Sequence, residues 1–405
     1  MTHKPTNGTA IRYNLMDLAA TLPDVISLGR GDPDLATPAH ILVAAKDAAH
    51  RGEGARLTPP AGLPELRQAI ADKLHRDNHL PVEAENILVT TGGQEAMFLL
   101  MQALLDPGDE ILVPDPRYTS YDQAVAMAGG QLTLIPTAEH SAFDLDADAV
   151  ARCITSRTKA LLLVTPSNPT AGIITEANLR RITDLAHQHN LIIIADEIYE
   201  QFVFDGWRHL SIGSLPGMAE RTFTLNGFSK TYAMTGWRVG YLAAPVDFIQ
   251  ATTRFKEITN LTAPTISQWA ATAALTGPQD CVADMRATYD ERRQLAKHAL
   301  DDMDVSYSDR PPRRVLYLCQ RPLVWLLGHR ILLSLASRES CHALSRHWLW
   351  RGLGRLRSHF TSATEAEIVG SVGAHEKRIG KNVSDPPSPS PTPRFLRRGG
   401  GQGGG

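Results

Sequence analysis

The sequence predicts an α/β fold in which a mostly parallel β-sheet is sandwiched between helices. Short apolar runs alternate with longer amphipathic stretches between residues 60 and 280, and Leu179–His189 is an example of the latter. Strands that are apolar throughout and separated by helices are typical of parallel sheets covered on both faces. The predicted strands are Ile87–Thr90, Ile111–Pro114, Leu132–Pro136, Ala160–Thr165, Leu191–Asp196, Thr222–Asn226 and Val239–Ala243.

The composition is that of an ordinary globular chain, long enough at 405 residues for one large and one small domain. The net charge of -2 gives no whole-chain reason to expect nucleic acid or membrane binding. Four cysteines without a C-x-x-C pair predict neither a disulfide framework nor a metal site. No apolar run approaches the roughly 20 residues of a membrane span, and the N-terminus lacks a secretory h-region. We therefore expect a cytoplasmic protein without metal, membrane or nucleic acid partners.

Five polar segments follow predicted strands, where ligands bind in parallel sheets. Each also has a plain structural interpretation: a Gly-Gly pair before a helix, a core or surface tyrosine, an Asn-Pro turn, an aspartate capping a helix, and a solvated lysine. Their occurrence together at strand ends favours a site. The segments are Thr91–Met97, Pro114–Tyr121, Thr165–Gly172, Asp196–Tyr199 and Gly227–Gly240.

Gly227–Gly240 is the most specific of the five. Lys230 follows a hydroxyl, Ser229, and Arg238 lies eight positions further on, with small residues on both sides. This stretch matches, position for position, the lysine signature of class I and II aminotransferases, which use pyridoxal 5'-phosphate (PLP). The other four segments match that family in order and spacing, so the chain resembles a fold type I, aspartate aminotransferase-like enzyme up to about residue 309.

The resemblance implies that Lys230 bonds covalently to PLP and serves as the catalytic base and acid. A lysine must be partly neutral to attack an aldehyde, and a nearby cation lowers its pKa. Arg238 is expected to supply that cation while binding the phosphate through its planar fork. Ser229 is expected to add a hydroxyl to the phosphate.

The resemblance also implies that four side chains contact the ring of the cofactor. Asp196 is expected to pair with the pyridine nitrogen and keep it protonated, so that the ring accepts electrons. Tyr199, like Asp196, counts among the catalytic residues because it is expected to bond the phenolic oxygen. Asn168 is expected to reach the same oxygen and the substrate, and Tyr118 to stack on the ring.

Backbone donors complete the predicted site. The family match places Gly93, Gln94 and Glu95 under the phosphate, where the positive end of a helix suits an anion. Gly31, in a loop similar to the family's, is expected to approach the substrate carboxylate. Leu57 stands where the family usually has a tyrosine that reaches the phosphate of a neighbouring subunit, so the implied homodimer lacks one contact.

The resemblance breaks between Arg310 and Phe360, where ten arginines face one acidic residue, Glu339, with no lysine or aspartate. The family has here a strand such as Gly-Ala-Phe-Tyr and later a Pro-Gly-x-x-Phe-Gly block. Codons can be chosen for Arg313–Gln320 that give Gly-Ala-Phe-Tyr-Ile-Phe-Ala one nucleotide later. Similarly chosen codons for Ala343–Arg351 give Pro-Cys-Pro-Gly-Thr-Gly-Phe-Gly in that frame. We therefore predict a frameshift across residues 310–360.

Past Phe360 the sequence again resembles the family's last helix. The family's arginine that binds the substrate carboxylate lies three residues earlier, where this chain has Arg357 among residues of the shifted kind. A Pro/Ser run and a Gly run then end the chain, and such composition does not form a packed core.

The predicted domains follow from this comparison. Residues 1–45 form an N-terminal arm and part of a smaller α+β domain, 46–285 the PLP-binding large domain, 286–381 the small domain and 382–405 a disordered tail. The implied function is amino-group transfer from an L-amino acid to a 2-oxo acid, of the aspartate/2-oxoglutarate type. Two alternatives stay open: a PLP-dependent lyase on the same fold, and a PLP-binding chain with crippled activity.

Overall fold

The structure, a computed structural model, describes residues 32–302, and these form a seven-stranded sheet with helices on both faces. The predicted positions Gly31 and Arg357 and the segment 310–360 lie outside the described residues, so the domain boundaries stay predictions. The strands are β1 Ile87–Thr90, β2 Glu110–Asp115, β3 Gln131–Pro136, β4 Thr158–Val164, β5 Ile192–Asp196, β6 Thr222–Gly227 and β7 Gly240–Ala243.

Nine α-helices occur within residues 32–302. Among them none combines the length and apolar character that a membrane-spanning helix requires. They are α1 Ala39–His50, α2 Pro64–Asn78, α3 Gly93–Leu104, α4 Ser120–Met127, α5 Ala147–Cys153, α6 Glu176–Gln188, α7 Val246–Thr259, α8 Thr265–Thr276 and α9 Asp280–Asp302.

Each predicted strand is present, with ends within two residues of the prediction. The predicted helix Leu179–His189 begins three residues earlier, at Glu176. Thr175 explains the difference, because its side chain accepts a hydrogen bond from the backbone of Asn178 and so caps a first turn that carries no apolar pattern.

The sheet order is β1-β7-β6-β5-β4-β2-β3, and β7 runs antiparallel to both β1 and β6 while the other pairs are parallel. Residues 228–239, which join β6 to β7, turn back at the same edge of the sheet instead of crossing it. The predicted mostly parallel sheet is thus confirmed, with β7 as the antiparallel member.

Both faces of the central strands are buried. In β4, Ala160, Leu162 and Val164 pack into the core beneath α3 and α4. The alternate residues Leu161 and Leu163 pack into the opposite core, beneath α5 and α6. This two-sided burial explains why β4 is apolar at every position from Ala160 to Val164, because alternate side chains point to opposite faces.

Candidate active site

The site residues lie along one edge of the sheet. The carboxyl ends of β1, β2, β4, β5 and β6 meet there. The amino end of β7 joins them because that strand runs the other way: Gly240, its first residue, pairs with both Thr90 and Gly227. Val164 pairs with Asp196 at the neighbouring strand ends. All five polar segments singled out in the sequence therefore begin at this edge.

Lys230 lies in the turn that directly follows β6. Its Nζ is 6.0 Å from the centroid of the Tyr199 ring. The lysine side chain is half-buried, and Tyr199 is 5% exposed. The amine and the phenol thus share one partly desolvated space, although they are 31 positions apart in the chain.

Asp196 ends β5 and is followed by a turn, so it does not cap a helix. Its Oδ2 accepts a hydrogen bond from the Tyr121 hydroxyl at 2.8 Å, and its Oδ1 accepts one from the Ile198 amide at 3.3 Å. Burial raises the pKa of this carboxyl, and the two hydrogen bonds oppose that shift. A cation placed against Asp196 would be stabilised, since it offsets the burial of the charge.

Tyr121 was assigned no role from the sequence. It is buried, packs edge to face against Tyr118 with ring centroids 5.6 Å apart, and directs its hydroxyl to Asp196. Burial raises the pKa of Tyr121 well above its usual range, and the Asp196 charge adds to the shift. The phenol therefore stays a donor to the carboxylate.

The glycine-rich turn after β1 leads into α3, which begins at Gly93 as the sequence predicts. Gly92 has φ +80°, and a Cβ there would meet Arg238 Nη2 at 2.5 Å. The guanidinium also donates to the carbonyl oxygens of Thr91 at 3.2 Å and Thr235 at 3.0 Å. Arg238 thus lies against the open N-terminus of α3, and both carry positive charge.

Gln94 and Glu95, in the first turn of α3, point in different directions. Gln94 is exposed and its Nε2 donates to the Tyr118 hydroxyl at 3.0 Å. The Glu95 carboxylate instead accepts the Thr91 backbone N–H and lies against the Lys256 ammonium at 3.0 and 3.1 Å. Burial lowers the pKa of Lys256, and the contact with Glu95 opposes that shift.

Two further predicted residues stand at the same edge. Asn168 is half-buried in the loop after β4, beside Thr170 and Arg117. Ser229 precedes Lys230 and is half-buried, and its carbonyl oxygen accepts the Thr235 hydroxyl at 3.1 Å.

A buried ionic network lies behind the segment that carries Asp196 and Tyr199. The Lys73 ammonium pairs with Glu200, and the Asn78 amide donates to both Glu197 and Glu200. The His209 imidazole lies 3.2 Å from Glu197. Burial opposes charge on His209, but the neighbouring carboxylates outweigh it and raise the pKa of the imidazole. Glu197, Glu200 and His209 are spaced like metal ligands, yet Lys73 and Asn78 already donate to the carboxylates.

The donor set at this edge fits PLP. An amine stands beside a phenol, a buried carboxylate is placed where a cation would be stabilised, and an arginine packs over a glycine that has no room for a side chain. These groups match the aldehyde, the protonated pyridine nitrogen and the phosphate of the cofactor. The fit rests on the chemistry of the side chains and on the space that Gly92 leaves.

Comparisons with known proteins agree with this arrangement. The family described as aminotransferase class I and II matches residues 23–345. The aspartate aminotransferase of Pyrococcus abyssi is 44% identical over 301 residues, which cover 73% of this chain and 77% of that protein. An aromatic-amino-acid aminotransferase of Thermococcus litoralis is 41% identical over 301 residues, which cover 73% of this chain and 77% of that protein. The solved structure of the Thermus thermophilus aspartate aminotransferase with maleate has a TM-score of 0.70, at 37% identity over 75% of this chain and 80% of that one.

Proposed function

Because this chain belongs to the class I and II aminotransferase family and is therefore a PLP-dependent aminotransferase, we propose that it transfers an amino group from L-aspartate, or a related amino acid, to a 2-oxo acid such as 2-oxoglutarate. The observation that supports the proposal most is the convergence of Lys230, Tyr199 and Asp196 at one sheet edge. Relatives whose names include aspartate aminotransferase support an acidic amino acid as the amino-group donor.

We assign the binding of the cofactor to the side chains described above. Arg238, Ser229 and the backbone amides of the first turn of α3, from Gly93 to Glu95, would hold the phosphate. Asp196 would hold the pyridine nitrogen. Tyr118 would cover the ring. Tyr199 and Asn168 would hold the phenolic oxygen, and Asn168 together with Gly31 and Arg357 would hold the substrate.

When bound, PLP supplies an electron sink for the charge that develops at the substrate Cα. Lys230 would move the proton at the substrate Cα, because its amine is a basic group at this edge and lies beside Tyr199. Asp196 would remain ionised and hold a proton on the ring nitrogen. The half-buried position of Lys230 limits the access of water to the amine.

Reduction with borohydride tests the assignment of Lys230. Protein loaded with PLP should acquire a stable adduct on Lys230 after reduction, detected by peptide mass mapping. Lys230→Ala should bind PLP without forming that adduct. A reducible adduct that persists in Lys230→Ala would contradict the assignment.

A coupled assay separates transamination from a lyase reaction on the same fold. Incubation with L-aspartate and 2-oxoglutarate should give a new amino acid. A lyase would instead release ammonia or a small fragment and form none. An aromatic donor tested in parallel addresses specificity, because relatives named for both substrate classes have similar identity.

The assembly that we propose is a homodimer with isologous contacts. Leu57 and Ile258 are 74% and 82% exposed, and Leu261 is also exposed. Thr58 contacts Thr262, so the two segments that carry these apolar side chains lie together. Apolar side chains grouped on a surface mark interfaces. Light scattering should give twice the chain mass, and a monomer that holds PLP would contradict the proposal.

We also place the protein in the cytoplasm. Support comes from the free cysteines Cys153 and Cys281, since unpaired thiols are typical of a reducing compartment. Fractionation of cells should find the enzyme with soluble cytoplasmic markers.

A further inference from the structure

Lys256 is a fully buried cation behind the first turn of α3. Its side chain has no exposed surface, and its Nζ contacts both oxygens of Glu95, at 3.0 and 3.1 Å, and Asn260 Oδ1 at 3.0 Å. An ammonium is buried only where opposite charge and hydrogen bonds compensate its lost hydration. Lys256 lies in α7, 161 positions from Glu95, so the pairing depends on the fold.

Glu95 connects this cation to the turn proposed to hold the phosphate. Its carboxylate accepts the Thr91 backbone N–H, and Asn260 Nδ2 donates to Thr91 Oγ1 at 2.9 Å. Lys256 thus contacts both side chains that hold Thr91. Arg238 contacts the carbonyl oxygen of the same residue.

The position of Glu95 raises an electrostatic problem. A carboxylate in the first turn of a helix suits the helix dipole, but it repels a phosphate placed at the same N-terminus. Lys256 offsets that charge, because its ammonium contacts both oxygens of the carboxylate.

We propose that Lys256 is an electrostatic and positioning residue of the phosphate site. It neutralises Glu95 and fixes the Thr91 turn, so that the helix N-terminus and Arg238 attract the phosphate of PLP. The proposal rests on the cofactor site proposed above and extends it to a residue that does not touch the cofactor.

The test compares two ligands that differ only in the phosphate. PLP and pyridoxal are titrated against the full-length apoprotein, with binding followed by absorbance. For Lys256→Met we expect the preference for PLP over pyridoxal to fall by about tenfold or more, because a unit charge within roughly 10 Å contributes that much at an effective dielectric constant of about 20.

Lys73→Met is the matched control. Lys73 is also a buried lysine paired with a buried glutamate, Glu200, but it lies behind the segment that carries Asp196. Its removal should weaken PLP and pyridoxal alike and leave their ratio unchanged. A phosphate-selective loss in both variants would overturn the proposal, since it would trace the effect to buried lysines in general.

Glu95→Gln gives a change of the opposite sign. It removes the negative charge and keeps an acceptor for the Thr91 amide, so the preference for PLP should rise. If the ion pair had only a structural role, Lys256→Met and Glu95→Gln would each weaken the binding of PLP and of pyridoxal to the same extent. If Lys256→Met does not fold, Glu95→Gln alone tests the proposal. A preference for PLP over pyridoxal that is unchanged or reduced in Glu95→Gln overturns it.

Failure of the cofactor site itself would look different. If the wild-type protein binds PLP no better than pyridoxal, the proposed phosphate site is wrong, and the role of Lys256 is wrong as well. A normal preference in the wild type, unchanged by Lys256→Met and Glu95→Gln, overturns the role of Lys256 and leaves the site intact.

Discussion

Replacing Tyr121 by Phe should raise the pKa of the Asp196 carboxyl, because the hydroxyl that donates to Asp196 Oδ2 at 2.8 Å is lost. A hydrogen bond to a charged group contributes about 1.5–3 kcal/mol. Losing this bond destabilises the ionised carboxyl by about that amount relative to the protonated form, so its pKa should rise. The ring is kept, so the packing against Tyr118 is kept too.

The pH dependence of PLP affinity measures this shift. Ionised Asp196 attracts the protonated ring, and that attraction is lost as pH falls through the pKa of the carboxyl. The acid side of the affinity profile should therefore move to higher pH in Tyr121→Phe. Tyr118→Phe is the control, since its hydroxyl contacts Gln94 and not Asp196. A profile that does not move in folded Tyr121→Phe would refute the reasoning.

Three further perturbations have defined outcomes. Gly92→Ala should weaken PLP binding by about tenfold, because backbone strain of about 1–3 kcal/mol at φ +80° and ψ 170° adds to a clash with Arg238 at 2.5 Å. Gly108→Ala is the control in the same titration: it also has a positive φ, +95°, but meets no atom within 4 Å and precedes β2 at the opposite edge of the sheet, so it should bind PLP nearly normally. The raised pKa of His209 contributes stability that is fully present below about pH 6.5 and is lost as pH rises through the raised pKa. The urea midpoint of unfolding should therefore fall over that pH range, and His209→Gln should reduce this pH dependence. Correcting the reading frame across residues 310–360 should increase transaminase turnover of PLP-loaded protein, and full turnover without correction would show that this segment is a real variant.

The fold followed from the sequence to the level of individual strands. Apolar runs such as Ile193-Ile194-Ala195 in β5 stand out because the middle of a strand buried on both faces has no polar position. The direction of β7 did not follow, because Gly240–Ala243 has the same apolar character as the strands that run parallel to one another. Strand direction depends on how residues 228–239 turn, and periodicity carries no information about it.

The candidate site was predicted only in part, because a sequence shows local order of residues and not which distant residues meet. Lys230, Asp196 and Arg238 could be singled out because each lies in a short segment with a recognisable order of residues, and their roles stay proposals. Tyr121 lay inside a segment of interest but had no role until its hydroxyl was seen on Asp196. Lys256 could not be found at all, because its partner is distant in sequence and its type is that of a surface residue.

Local chemistry along the chain therefore determined the strands, the residues that follow them and the family to which the chain belongs. Only the tertiary structure decided which of those residues face one another. Hydrophobic patterning specifies what a segment buries, because burial acts on each side chain with little regard to its partner. Hydrogen bonds and ion pairs depend on distance and direction between groups that folding brings together. The pairing of Tyr121 with Asp196 and of Lys256 with Glu95 therefore exists only once β1, β2, β5 and α7 are in place.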